Sequence, residues 1–209
     1  MGNSSSTRVI DDKCIMSDEE IASLIMPIYY INDAVVTEND ISNAKSCWKI
    51  AANGKSPAFK AYKASTGSQT DSLQWFSNIF YQRLFDINPS VRPLFKNSIE
   101  VQGRVLVAII STALSQLKDP IGFNGTLINL AHVHVARGVR ATQFCLMGDI
   151  ILWTLHNTLG DIFTEEHRLS WIRICSRMLK IAIPVMIGDE RRSLTAAKEK
   201  TVNKTLSLE

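Results

Sequence analysis

Phe85-Asp-Ile-Asn-Pro-Ser-Val-Arg-Pro-Leu-Phe95 is the stretch that decides how this chain is read. A residue ahead of proline is pushed out of helical backbone geometry, so the strongly apolar helical run Leu73–Ile87 must end before Asn88-Pro89. A new helix is announced just beyond Phe95, where Asn97-x-x-Glu100 has the form of a capping box. It is predicted over Asn97–Lys118, with Val101, Val105 and Ile109 on one stripe and Leu106, Ile110 and Ala113 on the adjoining one. Pro120 is read as closing it.

The same reading extends in both directions. Upstream, Ile41, Ala44, Trp48 and Ile50 predict a helix over Thr37–Ala52, and the Gly/Ser/Lys-rich stretch Gly54–Ser72 reads as a loop. Downstream, Thr126–Ala136 reads as a shorter helix stopped by Gly138, and Ala141–Leu159 as another with Gly160 as its C-cap. Thr164, Glu165 and Glu166 open a last helix to about Ile187, with Pro184 bending its final turn. At the front, Ser17-Asp18-Glu19-Glu20 ahead of Ile21, Leu24 and Ile25 signals a short helix limited by Pro27. The expected organisation is an N-terminal extension over 1–36, one helical domain over 37–189 and a polar tail over 190–209. The architecture is all-α, with at least six helices. Several are apolar on more than one face, which suits helices sandwiched around a buried object better than a four-helix bundle.

Composition narrows the function classes. With 209 residues and 45% hydrophobic side chains, the chain can bury a core, and 10 Gly and 6 Pro are too few for many short strands. A formal net charge of +3 argues against a nucleic-acid partner. Cys14, Cys47, Cys145 and Cys175 form no C-x-x-C pair, so they read as free thiols in a reducing compartment. No basic-then-apolar leader and no bilayer-length apolar run is visible, so an intracellular, cytoplasmic location is expected.

The order of landmarks over Thr37–Ile187 resembles the globin family, most closely the single-domain globins of microbes and invertebrates and the globin part of flavohemoglobins. Trp48 falls where globin first helices often place a tryptophan. Phe85–Phe95 resembles the end of the second helix, the proline turn and the heme-stacking phenylalanine. Ile99-Glu-Val-Gln-Gly-Arg-Val-Leu106 resembles the start of the distal helix, and Leu130-Ala-His-Val-His-Val-Ala-Arg-Gly-Val139 the proximal helix and its exit turn. Trp171 is a further familiar feature. Only six residues separate Phe95 from Gln102, a short connection of the kind found in microbial relatives. The resemblance implies a globin fold of six to eight helices around one heme b.

It also implies roles. His134 matches the proximal iron ligand, with the Leu130 carbonyl one helical turn back placed to fix the ring's tautomer. His132, two residues away, turns to another face and reads as exposed or propionate-side. Phe95 matches the phenylalanine packed flat on the porphyrin, Val139 and Phe144 positions below it, and Leu106 the apolar residue beside the ligand. Tyr81 and Gln102 match positions facing a bound gas, where a phenol O–H and an amide N–H can both donate.

The function expected is reversible dioxygen binding with slow release, for storage, scavenging or supply, and not primarily an enzyme. One alternative is a nitric oxide dioxygenase or heme redox enzyme. It would need a separate reductase, because the chain has no Gly-rich nucleotide fingerprint. The other is a membrane-associated gas or redox sensor, since Met1-Gly2-Asn3-Ser4-Ser5-Ser6 fits the N-myristoylation pattern with Gly2 as acceptor. One myristoyl chain alone holds a membrane marginally, and the leader is acidic rather than polybasic.

Overall fold

The computed structural model describes residues 16–206, and Gly2, Cys14 and the acylation pattern lie outside that range. Nine α-helices and two 3-10 turns make up the described fold: α1 Asp18–Ile25, α2 Glu38–Ala52, α3 Pro57–Thr66, α4 Ser72–Ile87, α5 Ile99–Ser115, α6 Pro120–Ala136, α7 Ala141–Phe144, α8 Leu146–Leu159 and α9 Glu165–Leu206. No strand occurs among the described residues.

Local chemistry accounts for most helix ends. Ser17 with Glu20 and Thr37 with Asp40 form reciprocal capping boxes at the starts of α1 and α2. The Asp71 carboxylate accepts from Gln74 N at 2.8 Å and opens α4, which stops at Asn88 ahead of the 3-10 turn Pro89–Leu94. Ser98, one residue past the expected Asn97, accepts from Val101 N and opens α5.

Four segments depart from the sequence expectation. The presumed loop contains α3, started by Ser56 and Pro57 and ended by Gly67 in the left-handed conformation at φ 63°. Its stability is tertiary: Phe59 and Tyr62 form one aromatic group with Trp75 of α4, at centroid distances of 5.3 and 5.4 Å from it. Pro120 opens a helix instead of closing one. Asp119 caps α6 by accepting from Gly122 N at 3.1 Å, and proline at the first helical position loses no hydrogen bond. The Ala141–Leu159 helix is divided at Cys145 into α7 and α8. The last helix does not end near Ile187 but runs through Pro184 to Leu206, 42 residues in all. The polar residues after Glu190 are rich in Arg, Ala, Lys and Glu, which are strong helix formers once a packed helix precedes them.

The interior divides into two hydrophobic cores. The larger joins α2, α4, α5, α8 and the first half of α9 around Trp48, Phe76, Phe80, Tyr81, Phe85, Leu106, Leu155 and Trp171. The smaller joins Ala22 of α1, Ala131 of α6, Phe144 of α7 and Leu179, Ile183, Met186 of α9. Leu130 packs against both. Cys47, Cys145 and Cys175 are buried free thiols. No helix among the described residues is long and apolar enough to cross a membrane.

One buried charge ties α2 to α9. Asp40 is 1% exposed, accepts from Thr37 N and Oγ1 at 2.8 and 2.7 Å, and pairs with Arg173 at 2.7 Å. Burial raises the carboxyl's affinity for a proton, but the Thr37 donors and Arg173 outweigh it and hold the group below the usual aspartate range. A depressed folded-state value adds stability above the unfolded value near 3.9, and that stability is lost as pH falls through the depressed one. Asp40→Ala is expected to destabilise the fold by about 2 kcal/mol at pH 7. Urea unfolding over pH 2–7 should show a shallower acid limb in the variant than in the wild type.

Candidate functional site

Four helices, α4, α5, α6 and α7, and the two connections holding Phe95 and Val139 carry the residues singled out by the sequence. His134 stands in the last turn of α6, half-buried, with its Nδ1–H donating to the Leu130 carbonyl at 2.8 Å. That bond leaves Nε2 as the lone-pair nitrogen. Burial holds the imidazole below its ordinary range, Arg137 acts in the same direction, and the Leu130 carbonyl opposes them. The ring is therefore neutral at pH 7, the form that binds a metal. Phe144 packs edge-on against it at a centroid distance of 5.1 Å. Phe144 is buried, and Val139 is half-buried in the same small core.

His132 behaves differently. It is exposed, and its Nδ1–H donates to Asp189 of α9 at 2.6 Å, so the two histidines leave α6 on different faces.

A second group lies on α4, α5 and the turn after Pro89. Tyr81 is buried, stacks on Phe85 at 6.1 Å and meets the edge of Phe95 at 5.4 Å; Phe95 also meets Phe85 edge-on at 5.2 Å. The Tyr81 hydroxyl donates to the backbone carbonyl of Gln102 at 3.2 Å. Burial pushes the phenol up to about 12, so it remains a proton donor at neutral pH. Gln102 is half-buried, and Leu106, one turn further along α5, is buried in the large core. Tyr81, Phe95, Gln102 and Leu106 thus form one group, and Leu130, His134, Val139 and Phe144 another, with Leu130 touching both cores.

Gly103 was not singled out from sequence, yet it sets how closely α4 and α5 cross. A Cβ at that position would come within 2.4 Å of Ser77 Oγ and 2.8 Å of Ser77 Cβ. An isolated glycine inside a helical pattern was the available signal. Gly103→Ala is expected to cost about 1–3 kcal/mol by overpacking. Adding Ser77→Gly should recover most of that loss in thermal unfolding, because it clears the facing side chain.

The donor set points to a particular kind of metal. Among the described residues no three His, Cys, Asp or Glu side chains cluster, so a bare ion would find no cage. One neutral imidazole packed against Phe144 suits a metal that arrives with ligands of its own.

Residues 78–181, about half of the chain, match the family model Globin. The chain belongs to the globin family. Membership carries the family's cofactor, heme, and its ligand class, diatomic gases, and the residues around His134 fit such a group. Among characterised relatives, this globin is 28% identical to a flavohemoprotein of Bordetella pertussis over 121 residues, covering 56% of this chain and 29% of that protein. It is 25% identical to a flavohemoprotein of Rhizobium meliloti over 105 residues, covering 49% and 26%. It is 28% identical to a neuroglobin of Danio rerio over 113 residues, covering 47% and 70%. This globin therefore spans less than a third of the flavohemoproteins it matches.

Proposed function

We propose that this globin holds a heme b through His134 and binds dioxygen reversibly, with slow release. The observation that carries the reading is the His134 imidazole, neutral, oriented by Leu130 and walled by Phe144. Heme, when bound, would supply an iron that takes an imidazole from the protein and a diatomic gas. His134 gives the imidazole, and its bond to Leu130 keeps Nε2 free of a proton and the ring from rotating. Val139 and Phe144 exclude water on that side. Phe95 offers an aromatic face for ring packing, and Leu106 keeps the gas side apolar. Tyr81 and Gln102 supply two donors for a polar ligand. Absorption spectra of the purified ferric, ferrous and carbonyl forms test the reading. A chain that binds heme with no histidine-ligated spectrum, or binds none, overturns it.

The similarity to flavohemoproteins favours a second reading, nitric oxide dioxygenation with electrons from a separate reductase. Single-turnover reaction of the oxygenated protein with nitric oxide, followed by reduction in cell extract, separates the two. Association with a membrane through acylated Gly2 belongs to the same proposal. Labelled myristate should enter the wild type and not Gly2→Ala, and equal incorporation would remove this part.

A further inference from the structure

The four consecutive residues Asp189, Glu190, Arg191 and Arg192 of α9 make contacts in several directions. Successive helical side chains leave the axis about 100° apart, so one turn can address several neighbours. Asp189 accepts from His132 of α6 at 2.6 Å and is also paired with Arg192. Glu190 accepts from the backbone N of Ala141 at 2.6 Å, satisfying a free donor at the start of α7. Arg191 reaches the N-terminal leader, pairing with Asp18 at 2.8 Å and donating to the Met16 carbonyl. Gly188 completes the arrangement: a Cβ there would lie 3.2 Å from Asp18 Oδ2, so a larger residue would crowd the start of α1.

The leader is seated along α9 by more than this one pair. Ile31 N donates to Ser176 Oγ at 3.0 Å, and Lys180 Nζ to the Asn32 carbonyl at 2.9 Å. The Tyr29 phenol lies against Gly148 of α8, where a Cβ would come within 1.7 Å of its oxygen. Ala22 sits in the same small core as Ala131 and Phe144, the residues flanking His134 on α6 and α7. One turn of α9 thus contacts the leader, the start of α7 and the helix bearing His134.

We propose that Asp189, Glu190 and Arg191 are positioning residues through which the docked leader holds the C-terminal half of α6, and with it His134, in place. The coupling runs through α9. Arg191 fixes the azimuth of that turn against Asp18, and this keeps the Asp189 carboxylate on His132 and the Glu190 carboxylate on Ala141. Freeing the leader lets the turn rotate and loosens both. The heme-related readout below rests on the role proposed for His134; the other does not.

The test uses the full chain with Arg191→Glu, which turns the pair with Asp18 into a repulsion. In the heme-free protein, amide exchange over 18–31 should rise, and exchange over 130–137 should rise about tenfold, the effect of losing one charge-assisted hydrogen bond. In the heme-loaded protein, transfer of heme to an apoglobin scavenger should speed up by about the same factor. Adding Asp18→Arg to Arg191→Glu should restore both. If Arg191→Glu does not fold, Asp18→Ala serves in its place. Faster exchange in the leader with wild-type exchange over 130–137 overturns the proposal. So does a uniform rise that includes α2 and α4, since that reports lost stability rather than positioning. If the wild type takes up no heme, the proposed function fails, while the exchange experiment still decides this inference.

Discussion

Replacing His134 with alanine is expected to abolish stable heme retention, while replacing His132 is expected to leave the carbonyl spectrum unchanged. The two residues differ by their surroundings rather than their type. His134 is half-buried, with Nδ1 held on Leu130 and Phe144 against its ring. His132 faces solvent with Nδ1 held by Asp189. Among the described residues no cluster of metal-binding side chains stands in for the His134 imidazole, so its loss would remove the coordinate part of heme affinity and leave ring burial. Imidazole added to His134→Gly should restore a histidine-like spectrum, because the ligand can occupy the space the side chain left. A His134→Ala protein with the wild-type carbonyl spectrum, beside a His132→Ala protein without it, would reverse the assignment.

The second large effect is expected at Tyr81 and Gln102. A hydrogen bond to a charged or strongly polarised ligand in a dry site is worth about 1.5–3 kcal/mol, or roughly one to two orders of magnitude in release rate. The Tyr81 hydroxyl is already engaged, donating to the Gln102 carbonyl, but at 3.2 Å this bond is long for an O–H donor. Surrendering it costs little, so most of the gain from donating to a gas survives. Tyr81→Phe and Gln102→Leu should each speed dioxygen release by about tenfold or more. Carbon monoxide, less polarised, should change much less. The two donors share one acceptor, so the double variant should fall short of the product of the singles. Dioxygen release from Tyr81→Phe at the wild-type rate would show that the phenol stays on the Gln102 carbonyl.

How much of this was legible in advance depends on how local the cause is. The stop before Pro89 and the helix over 73–87 follow from sterics and apolar spacing within one turn, and both are readable. So are the capping boxes at Ser17 and Thr37, and the four-residue step from Leu130 to His134. The helix over 57–66 was hidden because its polar composition masked one aromatic face, and only the partner Trp75 makes that face worth burying. Pro120 is ambiguous in the sequence because proline can follow one helix or open the next, and the Asp119 cap decides between them. The course of α9 past Pro184 depends on His132, Ala141 and Asp18, residues far away in sequence. Within the site, residue types were legible. The parking of the Tyr81 hydroxyl on a backbone carbonyl, and the tolerance for nothing larger than glycine at position 103, needed the helix crossing itself.

The three buried cysteines give the folded chain an internal clock. Burial pushes the Cys47 and Cys145 thiols up to about 11 and the Cys175 thiol up to about 12. Only the thiolate attacks an alkylating reagent, so at pH 8 a group titrating near 11 is reactive in about one molecule per thousand, before steric exclusion is counted. Unfolding returns each thiol to about 8.5 and exposes it. With Cys14 replaced by serine, the mass added by iodoacetamide in a given time therefore measures how often the chain opens, and the tagged peptide identifies which helix opened.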